Sequence, residues 1–239
     1  MKLLSCILVL SFFISSCSWV NGEKIRGNGN ISAQKRAVSN FTGVDVSGAL
    51  DIVVTQDSAF SVRVEADDNL HQYLKTEIVG SVLKVYAEEG YDLDGTKDII
   101  IHVSAPSYLV FEASGASSIT AANRISNKQR ISLNASGASS IEMEVDTPEV
   151  FTDLTGASDV ILGGQAKTHT GEASGASTIK AYDLMTEISD IEVSGASHAQ
   201  VFASITLTAN ASGASDVKFK GTPTLSSNVS GASDISKAN

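Results

Sequence analysis

The tetrapeptide Ser114-Gly115-Ala116-Ser117 returns at Ser136, Ser174, Ser194, Ser212 and Ser230. Variants stand at Thr155-Gly156-Ala157-Ser158 and Ser47-Gly48-Ala49-Leu50. From Gly115 onward, Gly137, Gly156, Gly175, Gly195, Gly213 and Gly231 follow at intervals of 22, 19, 19, 20, 18 and 18 residues. A period near 20 is the mark of a solenoid, in which each repeat makes one coil and stacks on the next.

Alignment on the glycines produces columns. Four residues after each glycine stand Ile119, Ile141, Val160, Ile179, Ala199, Val217 and Ile235. Two before stand Ala113, Ala135, Leu154, Ala173, Val193, Ala211 and Val229. These apolar columns alternate with polar ones: Glu112, Asn134, Asp153, Glu172, Glu192, Asn210 and Asn228 three before the glycine, and Ser118, Ser140, Asp159, Thr178, His198, Asp216 and Asp234 three after it. Alternation of period two belongs to strands, and its return in every repeat places like residues above one another. The pattern predicts an all-β parallel β-helix with coils of 18 to 22 residues. Gly48, Gly115, Gly137, Gly156, Gly175, Gly195, Gly213 and Gly231 are its expected corners, where a strand must bend into a conformation that side chains disfavour.

Residues 36–111 are less regular but also rich in strand pattern. Val44, Val46, Ile52, Val54, Val62 and Val64 alternate with polar neighbours, and Leu83 and Val85 with Lys84 and Tyr86. Asp67-Asp68-Asn69 followed by Leu70, Tyr73, Leu74 and Ile78 predicts a short capped helix. The Gly48 corner makes this section the opening coils of the solenoid, with insertions, and 112–239 its regular part.

The chain begins differently. Lys2 precedes an apolar run from Leu3 to Ile14, too short to span a bilayer comfortably. Ile14-Ser15-Ser16-Cys17 then resembles the lipobox of a bacterial lipoprotein signal, which implies cleavage after residue 16 and a lipid on Cys17. Cys6 lies inside the segment removed, so the mature chain has no pair of cysteines to oxidise. Residues 17–35, polar and with Gly22, Gly27 and Gly29, read as a flexible tether. The formal charge of −10 argues against nucleic acid as a partner, because phosphate recognition needs a basic surface.

Three stretches carry a family resemblance besides the repeats: Phe41-Thr42-Gly43-Val44-Asp45-Val46-Ser47-Gly48, Val62-Arg63-Val64-Glu65-Ala66-Asp67 and Leu83-Lys84-Val85-Tyr86. With the repeated Ser-Gly-Ala-Ser, residues 36–239 resemble the family described as putative autotransporter adhesins with a head GIN domain. The resemblance implies a right-handed parallel β-helix and secretion or lipid anchoring. It brings no catalytic residues.

Enzyme motifs are absent from the sequence: no Gly-x-Ser-x-Gly, no His-Glu-x-x-His and no phosphate loop. The acidic run Asp153, Glu172, Glu192 is the one column that suggests chemistry. Stacking places its members about 5 Å apart, near the carboxylate separation of retaining glycosidases. Against that reading, the column continues as Asn210 and Asn228, no arginine follows Arg130, and aromatics in the coils are few. Asp216 and Asp234 form a second acidic pair in their column, a weaker candidate for a cation. The expectation is a non-catalytic, lipid-anchored protein of the cell envelope, at the outer membrane, without cofactor. Its rigid Ser- and Asp-rich face would meet a glycan or an envelope protein. A purely structural envelope role is the nearest alternative, and a polysaccharide-active enzyme the remoter one.

Overall fold

In the computed structural model, which describes residues 22–238, strands that turn at the predicted glycines build one continuous sheet of stacked parallel coils. The regular part opens with Val110–Gly115 and Ser118–Ala121, then Ile131–Ala135. Three long segments follow, Ser140–Leu154, Asp159–Ala173 and Thr178–Val193, each one coil of strand from corner to corner. The last coils are His198–Ala203 with Thr206–Ala211, and Asp216–Gly221 with Thr224–Val229, ending in Asp234–Lys237.

The inter-coil ladders here are parallel, and beside the corners they keep the register that the glycine alignment predicts. Ile141 pairs with Val160, Val160 with Ile179, and Ile179 with Ala199. Ile119, Ile141, Val160, Ile179 and Val217 are fully buried, and Ala113, Ala135, Leu154, Ala173 and Val193 complete the second inner column. At a strand spacing of about 4.8 Å, the six intervals from Gly115 to Gly231 make a rod of roughly 29 Å.

The opening section joins this stack directly. Gly43–Gly48 lies between Val82–Ala87 and Val110–Gly115, parallel to both. Asp51–Gln56 lies between Ile100–Ala105 and Ser118–Ala121 in the same way. The insertions add antiparallel pairs: Ser61–Asp67 sits between Ile31–Arg36 and Ile100–Ala105, and Leu74–Val79 beside Val82–Ala87. Phe41, Leu70, Leu83, Tyr108 and Phe111 fill the wider core this creates.

Two expectations are corrected. The predicted helix is a pair of turns followed by a strand: Leu70 N–H donates to Asp67 O, Tyr73 N–H to Leu70 O, and Leu74–Val79 is extended. Residues four apart share a face in a strand as well as in a helix, so Leu70, Leu74 and Ile78 could not separate the two readings. The β-branched Thr76, Ile78 and Val79 favour the strand. Asp67 does not cap a helix either. Its buried carboxylate accepts from Gly29 N–H at 2.6 Å, Thr96 N–H at 2.9 Å and the Thr96 hydroxyl at 2.8 Å. Burial acts to raise its pKa, but the bonds from Thr96 and Gly29 outweigh it, and the net shift is downward.

The second correction concerns the tether. Glu23–Arg26 pairs in parallel with Tyr91–Asp94, and Ile31–Arg36 is a strand of the main sheet. Polar composition suggested a linker, but an edge strand with one solvated face has the same composition. The signal segment and Cys17 lie outside the described residues.

Candidate binding face

The corner fixes the face. At each Ser-Gly-Ala-Ser the alanine N–H donates to the glycine carbonyl one coil earlier: Ala116 to Gly48, Ala138 to Gly115, Ala157 to Gly137 and so on to Ala232 to Gly213, all at 2.7 Å. The regular glycines have φ between 76° and 83°. A Cβ on Gly175 would lie 2.5 Å from the Gly156 carbonyl oxygen. Glycine is thus required twice there, for backbone conformation and for close stacking. The second serine of the motif points inward. Ser117, Ser139, Ser158, Ser177 and Ser215 are buried, and each hydroxyl donates to the carbonyl three residues back at 2.7–3.0 Å. Ser197 keeps a buried hydroxyl without a partner. These serines are bracing for the turn, engaged as donors to the backbone.

On either side of the corner the polar columns stand outward. Register carries one of them from Asp45 through Glu112, Asn134, Asp153, Glu172, Glu192, Asn210 and Asn228 without interruption. Asp153, Glu172 and Glu192 therefore occupy consecutive coils, as the sequence alignment placed them. Glu172 and Glu192 are exposed and Asp153 is half-buried. At the opening end, Lys84 Nζ lies 3.1 Å from Asp45, which raises the amine pKa by hydrogen bonding and charge. Asn134 Nδ2 donates to Glu112 at 3.4 Å. A shallow cavity of about 240 Å³ lies over this end, among Asp45, Glu112, Asn134, Asp153, Ser114 and Thr155.

The other column runs Asp51, Ser118, Ser140, Asp159, Thr178, His198, Asp216 and Asp234. Lys180 Nζ sits 3.7 Å from Asp159, and His198 Nδ1 3.3 Å from Asp216. Asp216 and Asp234 are register partners, but among the described residues no three His, Cys, Asp or Glu side chains group closely enough to hold a metal ion. The two columns flank the corner, so the structure brings the sequence-predicted residues to one edge of the rod and spreads them along it. It gathers none of them into a closed site.

Sequence reasoning missed a second feature on the far side of the coil. Asn127, Lys128, Asp146, Thr147, Lys167, Met185 and Phe202 line a groove of about 660 Å³. Coil lengths vary between corners, so an alignment on glycine loses register eight to ten residues away, and these residues formed no visible column. The exposed Met185 and Ile205 were the available signal. His169, also unassigned by sequence, is buried with Nε2 3.1 Å from Thr152 Oγ1, and burial lowers its pKa to about 4.

The family model described as "Putative auto-transporter adhesin, head GIN domain" matches residues 40–223. Among solved structures, a putative adhesin from Bacteroides fragilis superposes with a TM-score of 0.83 at 17% identity, covering 90% of this chain and 100% of that one. A putative lipid binding protein from Parabacteroides distasonis gives 0.72 at 21% identity, over 91% and 100%. A putative adhesin from Parabacteroides merdae gives 0.69 at 22% identity, over 91% and 100%. At these identities the likeness is one of fold. No curated protein matches the chain.

Proposed function

We propose that this chain, which belongs to the family of putative auto-transporter adhesins with a head GIN domain, is a non-catalytic binding protein of the cell envelope. Its ligand-binding element is the outward polar column from Asp45 to Asn228. The observation that carries this reading is the unbroken register of that column. Parallel stacking repeats carboxylates and amides about every 4.8 Å along a rigid edge. Such a row offers a hydrogen-bond acceptor at each coil, which suits a ligand with its own repeat, such as a glycan strand or a polymeric envelope protein. From Asp45 to Asn210 the backbone behind the row is engaged in the ladder on both sides, so little ordering is needed when a ligand docks.

Exposed carboxylates on an open edge are poorly placed for acid catalysis. That chemistry needs one carboxyl desolvated and raised in pKa beside a second that stays ionised. The kinship with adhesins also favours binding over turnover. Lipid attachment through Cys17 at the outer membrane is part of the proposal. Strand structure from Glu23 onward then leaves five residues between anchor and fold, six Cα–Cα steps that reach at most about 22 Å. The solenoid would sit close to the membrane, and not at the end of a long stalk.

The test is a screen of glycans and envelope proteins against the chain from Ser18 onward, alongside Glu172→Gln with Glu192→Gln. Binding that weakens about tenfold or more in the double variant, with unchanged melting, supports the column as the site. A ligand that binds the variant equally well removes the column from the site. Cleavage of any glycan by the parent chain, lost in the variant, establishes the enzyme reading in its place. Protease shaving of whole cells, and membrane fractionation of Cys17→Ser, report exposure and anchoring.

A further inference from the structure

The groove on the far side of the coil lies away from the polar column and has a different chemistry. Two exposed rows flank a recessed one. Register aligns Asp146, Gln165 and Met185 as one wall, and Thr147, Ala166 and Thr186 as the buried floor. Lys167 follows Ala166 and neighbours Glu187 on the next coil. Ile205 N–H then bonds the Glu187 carbonyl, so the other wall runs Lys128, Pro148, Lys167, Glu187 and Ile205. The 660 Å³ groove continues into a second cavity of about 550 Å³, bounded by Gln56, Pro106, Ser107 and Ser126. The two share Asn127, Lys128 and Asp146. From the coil of Ser107 to that of Ser204 is five steps, or about 24 Å.

This trough changes character along its length. Gln56, Ser107, Ser126 and Asn127 make the opening half polar. Ala166, Met185 and Phe202 give the later half its apolar lining, among Gln165, Thr186, Glu187 and Ser204, and the exposed Ile205 stands beside it. Met185 is 47% exposed and Ile205 56%, on neighbouring coils. Single exposed apolar residues need no explanation, but Met185 on one wall and Ile205 on the other put apolar surface on both sides of the groove, which marks a contact surface. At the junction stands Lys128, with Lys167 two coils further on. The ion pairs of this part of the rod join Arg124 to Glu144, Arg130 to Glu149, Lys180 to Asp159 and His198 to Asp216. Among the described residues they leave Lys128 and Lys167 without one.

These features select among occupants. A peptide strand finds no open edge along the middle coil, because the backbone of Gln165 and Ala166 is already paired on both sides. A sugar chain finds one aromatic surface, the half-buried Phe202. The lining charges are two lysines and two carboxylates, Asp146 and Glu187, so the groove is neutral as a whole. That favours a head carrying both signs over a purely anionic one.

We propose that the groove binds a zwitterionic single-chain phospholipid, its phosphate between Lys128 and Lys167, its amine toward Asp146, and its acyl chain along Ala166, Met185, Phe202 and Ile205. This site is independent of the polar column, and either can fail without the other.

Calorimetric titration of the chain from Ser18 onward, which contains the whole described core, tests it. The probe is dodecylphosphocholine below its micelle concentration. Saturable binding is expected, weakening about tenfold for every two methylenes removed from the chain. Lys128→Gln with Lys167→Gln should weaken this probe by about tenfold or more while leaving dodecyl maltoside unchanged. Met185→Asp should weaken both, and Glu172→Gln with Glu192→Gln neither. All these side chains are at the surface, so unchanged melting curves confirm that each variant is folded. The proposal is overturned if phosphocholine without a chain binds as tightly, if dodecyl maltoside matches the phosphocholine probe, or if the double lysine variant binds as the parent does.

Discussion

Replacing Gly175 and Gly48 by alanine, one at a time, separates the two demands that a coil corner makes of glycine. Both residues lie in the left-handed region, at φ 81° and 106°. Conformational strain from a side chain there is about 1–2 kcal/mol for either. Their surroundings differ. A Cβ at Gly48 meets nothing within 4 Å, because no corner lies beneath it. A Cβ at Gly175 falls 2.5 Å from the Gly156 carbonyl oxygen, the acceptor of the 2.7 Å bond from Ala176 N–H. Relief requires the two coils to part locally. That weakens the bond and leaves buried partners short, adding about 1–3 kcal/mol. We therefore expect Gly48→Ala to cost about 1–2 kcal/mol and Gly175→Ala about 2–5 kcal/mol. For a chain of this size, 1 kcal/mol moves the midpoint by about 2–4 °C. Thermal melts followed by far-ultraviolet circular dichroism should then fall by about 2–8 °C for Gly48→Ala and about 4–20 °C for Gly175→Ala. Equal losses at both positions would refute the reasoning, because stacking would then contribute nothing beyond backbone strain.

Two further outcomes follow from buried titratable groups. His169 has a folded-state pKa near 4, against an ordinary value of 6.5, so the fold holds it neutral. The stability this gives is complete above about pH 6.5 and is lost as the pH falls toward 4. Between pH 6.5 and 5 the parent should lose about 2 kcal/mol more than His169→Leu, at about 1.4 kcal/mol per pH unit. Urea unfolding at the two pH values measures this, and parallel slopes would show that His169 is already free to ionise. Asp67, with its pKa lowered, stabilises the fold above its unfolded pKa and ceases to do so as the pH drops through its lower folded value. Asp67→Asn should melt below the parent at pH 7, with the gap narrowing below about pH 4. A gap constant with pH would mean that shape, and not charge, holds Gly29 and Thr96.

The regular coils were legible because their constraints are local and repeat. Each glycine answers to the carbonyl one coil earlier, and each inner isoleucine or valine to its copy, so seven nearly identical environments wrote seven nearly identical tetrapeptides. The polar column could be aligned for the same reason, being three residues from a fixed point. The opening section gave its strands but not their order, since the antiparallel insertions depend on single contacts that leave no period. Asp67 shows the difficulty. As the first residue of Asp-Asp-Asn before a leucine it has the signature of a helix cap, yet its partners are Gly29 and Thr96, far away in sequence. Glu23–Arg36 misled for a related reason: polar residues around glycines describe a tether as well as they describe a solvated edge strand.

The same physics explains why the groove escaped a sequence reading and why it is the more selective surface. A corner that must stack holds its neighbours at a fixed spacing from coil to coil, so the polar column beside it offers an evenly spaced row of Asp, Glu and Asn acceptors. The far corner has no glycine ladder to satisfy. Coils of 18 to 22 residues change register on the way to it, as between Ile161 and Gly163, and Lys128, Pro148, Lys167, Glu187 and Ile205 follow one another in a single wall. Variation is tolerated at that wall because its side chains point to solvent while the floor of Thr147, Ala166 and Thr186 stays buried. A ligand recognised on the column must itself be repetitive, whereas one held in the groove can have distinct ends. A solenoid of this kind can therefore carry a surface that measures periodicity and another that reads a particular molecule, built on opposite corners of the same coils.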